Sequence, residues 1–99
     1  MPNDSPLLLF FSSARSGPSR RMESLLAHIA RKERHRLRVV QIDVDERGDV
    51  ARRLGVDVAP TLVLMRGKHP IARIEGRASA PRIEAMLDQH LEADTAAIA

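Results

Sequence analysis

Leu7-Leu8-Leu9-Phe10-Phe11-Ser12-Ser13-Ala14-Arg15-Ser16-Gly17-Pro18-Ser19 carries the strand-to-helix transition on which the fold turns. The apolar run from Leu7 to Phe11 lacks the polar alternation of a half-exposed strand, so it reads as a central strand buried on both faces. Arg15 to Ser19 then reads as a turn. Either Ser16 or Gly17 can cap the helix that follows, and Pro18 suits its first positions, where a backbone N–H is not needed. From Ser19 onward, Met22, Leu25, Leu26, Ile29 and Ala30 recur at helical spacing and predict a one-sided helix to about His35.

Working outward, residues 1–6 are polar and proline-punctuated, a loose N-terminus. Leu37 to Val44 is β-rich and predicts a second strand. Asp45 and Glu46 lead into a short helix over Gly48–Leu54, which Gly55 ends. Ala59-Pro60 interrupts the chain before a third strand, Thr61–Arg66, and Gly67-Lys68-His69-Pro70 turns it back into a fourth, Ile71–Glu75. Gly76 opens a loop, and Ser79 caps a last helix with Pro81 in its first turn. Ile83, Met86, Leu87 and Leu91 form the buried stripe of that helix, and the tail from Ala93 to Ala99 is expected to fray. The order is β-α-β-α-β-β-α. A right-handed crossover makes the first two strands parallel, and the tight turn makes the last two antiparallel. The fold class is therefore α/β, a mixed four-stranded sheet with helices on both faces.

Composition sets the limits of function. Ninety-nine residues suit a single domain over 1–99, with a core of about 7–92. The chain is 43% apolar but only 2% aromatic, so its core is aliphatic. It contains no cysteine, which excludes disulfides, zinc–thiolate sites, iron–sulfur clusters and thiol catalysis for the chain as written. The longest apolar run is far short of the roughly 20 residues of a membrane span or the roughly 7–15 of a signal-peptide core, so no membrane partner and a cytoplasmic location are expected. The net charge is +3, and arginine supplies most of the cations.

Taken together, Ser16-Gly17-Pro18-Ser19 after a first strand, Val39 to Asp45, and Gly55-Val56-Asp57-Val58-Ala59-Pro60-Thr61 resemble the thioredoxin family. The first motif is similar to its Cys-Gly-Pro-Cys sequence with both cysteines replaced by serine. The third is similar to the family's segment ending in an aliphatic residue, a cis-proline and threonine, and Gly76 falls where the family has a glycine facing the active site. The resemblance covers about residues 7–92 and implies a thioredoxin-like fold lacking the family's first strand and helix.

The departures from the family fall on its chemistry. Disulfide exchange needs a thiolate, supplied by a cysteine whose pKa a helix N-terminus lowers, and a serine hydroxyl does not ionise near physiological pH. The family's buried aspartate, neighbouring lysine and tryptophan correspond to Phe10, Gln41 and Arg15. Losing the thiols and these neighbours together reads as natural loss of a redox site rather than a substitution confined to the cysteines. The degenerate motif Ser16, Gly17, Pro18 and Ser19 then leaves no catalytic residue. The resemblance further implies a groove beside the cis-proline, where an extended peptide pairs with the backbone before the proline; Ala59, Pro60, Thr61, Gly76 and Arg15 are its candidate residues. The expected function is a redox-inactive protein- or peptide-binding module needing no cofactor. The alternative is a thiol–disulfide oxidoreductase of the family seen as a Cys-to-Ser variant.

Other features carry less. Arg15, Arg20 and Arg21 flank a helix N-terminus, an anion site only if spacing gathers them there. Arg31-Lys32-Glu33-Arg34-His35-Arg36 reads as the cation-rich end of a helix rather than a nucleic-acid partner site, because no aromatic lies beside it to stack bases. His28, His35, His69 and His90 are scattered without metal-ligand spacing, and no nucleophile elbow surrounds Ser16 or Ser19. Strand 37–44 is expected to form an exposed sheet edge through which two copies would pair.

Overall fold

Alternate residues of the first strand point to two different cores. The computed structural model describes the backbone of residues 5–98 and the side chains of residues 5–91. Strand β1 (Pro6–Ser12) sends Leu8 and Phe10 to one side of the sheet and Leu9 and Phe11 to the other. β3 (Thr61–Arg66) repeats the division with Leu62 and Leu64 against Val63 and Met65. Both strands are interior in the sheet order β2-β1-β3-β4, which is why neither shows polar alternation. β2 (Arg38–Asp43) is parallel to β1, while β3 is antiparallel to both β1 and β4 (His69–Glu75).

Helices α1 (Gly17–Lys32) and α3 (Ala80–Ile98) cover the first face. Met22, Leu26 and Ile29 of α1 meet Ile83, Met86, Leu87 and Leu91 of α3 over Leu8, Phe10, Leu62 and Leu64. The short α2 (Gly48–Arg53) covers part of the second face through Ala51. The expected α/β architecture, a mixed four-stranded sheet with helices on both faces, is the observed one.

Several boundaries differ for local reasons. α1 stops at Lys32 rather than near His35, because the Glu33 N–H closes on the Ile29 carbonyl while the Glu33 carbonyl takes the N–H groups of Arg36 and Leu37, turning the chain into β2. β4 begins at His69, two residues before the expected Ile71, and Pro70 lies within it. An edge strand tolerates that proline, and the register shifts there: Leu64 faces Ala72 while Met65 faces Pro70. Pro6 already belongs to β1. The rest of the expected loose terminus, residues 1–4, lies outside the described residues, as do the side chains of the tail expected to fray, although the α3 backbone is helical to Ile98. Among the described residues no helix is long and apolar enough to cross a membrane.

Candidate functional site

The turn between β1 and α1 settles the choice of cap. Ser16 is in extended conformation, and its Oγ accepts the Ser19 N–H at 3.1 Å, satisfying one of the free donors of the first helical turn. Its carbonyl accepts the Arg20 N–H at 3.1 Å, and its own N–H donates to the Ser13 carbonyl at 3.0 Å. The Ser16 hydroxyl spends its proton on the Ala59 carbonyl at 3.3 Å, tying the motif turn to the residue before Pro60 across the sheet. The Ala59–Pro60 bond is cis. On the far side of Pro60, its carbonyl accepts the Gly76 N–H at 2.8 Å, and Gly76 has the positive φ of 83° that a side chain would strain. Thr61 Oγ1 donates to the Val58 carbonyl at 2.7 Å and braces the same bend.

The structure therefore gathers Ser16, Ala59, Pro60, Thr61 and Gly76 through a short chain of hydrogen bonds. Arg15 is exposed on the loop above, its N–H held by Ser13 Oγ at 3.1 Å, and Ser13 in turn donates to Asp45 Oδ2 at 2.8 Å. Ser19 differs from Ser16. Its side chain is 0% exposed, and its Oγ has no hydrogen-bond partner, an unpaired hydroxyl inside the molecule.

The thioredoxin family model matches residues 1–89. The chain belongs to the thioredoxin family. It is 30% identical over 89 residues to a thioredoxin of Alicyclobacillus acidocaldarius, covering 90% of this chain and 85% of that one. Among solved structures, a thioredoxin from Nicotiana alata superposes with a TM-score of 0.81 at 29% identity, covering 88% of this chain and 74% of the other. The germline-specific thioredoxin Deadhead of Drosophila melanogaster superposes at 0.80 with 30% identity, covering 88% and 82%.

Against that family pattern, the chain carries no cysteine anywhere. Phe10 is buried in the core under α1 and α3. Gln41, on β2, donates through Nε2 to Ser12 Oγ at 2.9 Å and Glu23 Oε2 at 3.1 Å. The thioredoxin motif of this chain holds no thiol.

Two features of the site were not singled out from the sequence. Val58, immediately before Ala59, is 48% exposed, one of two large apolar side chains open to solvent among the described residues. Its neighbour Val56 is buried, and nothing in the run Val56-Asp57-Val58 marks which valine faces outward. The Ser13–Asp45 link joins residues whose pairing has no sequence signal beyond the turn that Asp45 begins.

The remaining candidates are dispersed or occupied. Arg20 and Arg21 share a hollow with Gly17 and Glu23, and Arg15 is not part of it, so the three guanidinium groups do not converge. In the basic run, Lys32 Nζ pairs with Glu84 at 2.7 Å, and Arg36 bridges Glu33 at 2.7 Å and Asp88 at 3.0 Å. Hydrogen bonding to Glu84, reinforced by its charge, holds the Lys32 pKa above the usual lysine value; the hydrogen bond to Glu33 does the same for Arg36. Lys32 ties α1 to α3, and Arg36 ties the turn after α1 to the same helix. No group of three or more potential metal-ligating side chains occurs among the described residues.

Proposed function

We propose that this chain is a redox-inactive thioredoxin-like module that binds an extended peptide or protein segment in the groove beside Pro60. The observation that carries the reading is the combination of a hydroxyl at both motif positions with an exposed Val58 beside the cis Ala59–Pro60 bond. Strand addition to a groove needs main-chain donors and acceptors and a shallow apolar contact, not a thiol. Val58 supplies the apolar contact, Arg15 an adjacent cation, and the Ser16 tie to Ala59 a preformed backbone geometry. A bound peptide competes with Ser16 Oγ for the Ala59 carbonyl, an exchange of one neutral hydrogen bond for another. Such exchanges change stability by only about 1 kcal/mol.

The test is selection of a random linear peptide library on the immobilised chain, with Val58→Asp as the control surface. The reading expects peptides retained by the wild-type chain and about tenfold more weakly by Val58→Asp, the order of effect of removing a buried apolar contact. Retention equal on both surfaces contradicts it.

The second reading, a thiol–disulfide oxidoreductase seen as a Cys-to-Ser variant, is favoured by the thioredoxin names of the relatives and by the unpaired Ser19 hydroxyl. A thiol at that position would be content in an apolar setting. Insulin-disulfide reduction separates the two. The first reading expects the chain to leave the no-protein rate unchanged and Ser16→Cys/Ser19→Cys to restore only weak turnover, because Phe10, Gln41 and Arg15 stand at the neighbouring positions. Turnover of the double variant at the rate of a cysteine-bearing family member supports the second reading.

A further inference from the structure

A second surface lies at the end of the sheet opposite the motif turn, independent of the groove beside Pro60. The motif follows the last residue of β1, whereas β1 begins beside the turn that joins α1 to β2. There a hollow of about 630 Å³ opens between the end of α1 and the first residues of β1 and β2. That volume falls within the roughly 300–1,000 Å³ of small-molecule sites. Its rim carries Arg34, His35, Arg36 and Arg38, and no acidic side chain among the described residues lines it. Its wall is apolar: Leu37 is buried there, and Pro6, Ala30 and Val39 are partly so.

The charges around the hollow are unequally committed. Arg36 is spent on two carboxylates, donating through Nε to the buried Glu33 at 2.7 Å and through a terminal nitrogen to Asp88 at 3.0 Å. Arg34, His35 and Arg38 are exposed, with no hydrogen-bond or ion-pair partner among the described residues. With Glu33 and Asp88 counted against it, the surround still sets three arginines against two carboxylates. The C-terminal carbonyls of α1 carry partial negative charge that opposes an anion. Two carbonyls at that end are already taken, that of Ile29 by the Glu33 N–H and that of Glu33 by the N–H groups of Arg36 and Leu37. The cations that hold the fold are thus Lys32 and Arg36, and the unpaired ones at the rim are free to meet an outside anion.

We propose that this hollow binds an alkyl phosphate, a phosphomonoester carried on an aliphatic body. Arginine presents a planar fork of donors that matches phosphate oxygens two at a time, and Arg34 and Arg38 bring two such forks to one rim. A ring N–H of His35 supplies a further donor. A phosphomonoester carries about 1.5–2 negative charges near pH 7, which the two unpaired guanidinium groups balance. The wall gives the body its character. It is aliphatic, and no Phe, Tyr or Trp among the lining residues offers a ring on which a base would stack. Such a ligand reaches the hollow either as a soluble compound or as the headgroup of a lipid, and the phosphomonoester is the chemistry the two share.

Calorimetric titration of the full chain with hexyl phosphate tests this, with inorganic phosphate as the probe that lacks the aliphatic body. The expectation is saturable binding at one site, at least about tenfold tighter for hexyl phosphate than for inorganic phosphate. Arg34→Ala and Arg38→Ala are each expected to weaken it about tenfold. Arg31→Ala, which removes an exposed arginine of the same run outside the hollow, is expected to change it by less than about twofold. Circular dichroism checks that each variant folds. Vesicles doped with phosphatidic acid separate the sources. Retention of the chain that Arg34→Ala abolishes assigns a lipid headgroup, and binding of hexyl phosphate without retention assigns a soluble ligand. Absence of saturation by about 10 mM hexyl phosphate overturns the proposal. So does equal affinity for the two probes, which leaves the apolar wall without a role, or a loss in Arg31→Ala as large as in the rim variants, which reduces the effect to overall charge.

Discussion

Ser16 and Ser19 occupy equivalent-looking places in one four-residue motif, yet their hydroxyls have opposite energetic consequences. Ser16 Oγ both accepts from the Ser19 N–H and donates to the Ala59 carbonyl, so its removal frees a helix-end donor and a loop acceptor together. Ser16→Ala is expected to lower stability by about 1 kcal/mol, the usual loss for an N-cap. Ser19 Oγ is enclosed without a partner, so Ser19→Ala is expected to raise stability by about 1 kcal/mol, having shed an unpaired buried polar group. Urea unfolding of the two variants checks both signs. A Ser19→Ala variant less stable than the wild type would show that the hydroxyl has a partner. The motif was legible from residue order alone, but this asymmetry was not. Sequence left the cap open between Ser16 and Gly17, and the donor to Ala59 spans a separation that no local pattern encodes. Val58 was missed for the same reason, since its exposure is set by how the chain bends into Pro60.

At the scale of elements, the apolar patterns told strands from helices well. The unbroken apolar runs Leu7–Phe11 and Leu62–Met65 lie in the two interior strands, and the stripes of α1 and α3 are buried where their spacing put them. The charge run at the end of α1 was harder. A cluster of cations reads alike whether it meets a phosphate, solvent or an acid, and the acids that answer it, Glu84 and Asp88, come from the last helix. The buried Glu33 makes Arg36 the central residue of this clasp. Arg36→Ala is expected to lower stability by about 1–3 kcal/mol, because it leaves the Glu33 carboxylate in the interior without its counter-charge. Thermal or urea denaturation reads the loss; a change within about 0.5 kcal/mol, the ordinary surface range, would assign the clasp no structural weight.

For the whole molecule, the fold and the thiol chemistry of its family are separable. Two apolar layers on a mixed sheet hold the loop containing Pro60 against the α1 turn, and none of that packing depends on a cysteine. What the arrangement offers is a surface: an exposed valine, a cation and a bent backbone, held in place by Ser16, Thr61 and Gly76. The most direct measurement is a ¹⁵N–¹H correlation titration of the wild-type chain with a peptide recovered from the library selection. The account predicts that the largest amide shifts fall on Val58, Ala59, Thr61, Gly76 and the Arg15–Ser19 turn. Shifts concentrated elsewhere on the molecule, with that set unmoved, would contradict it.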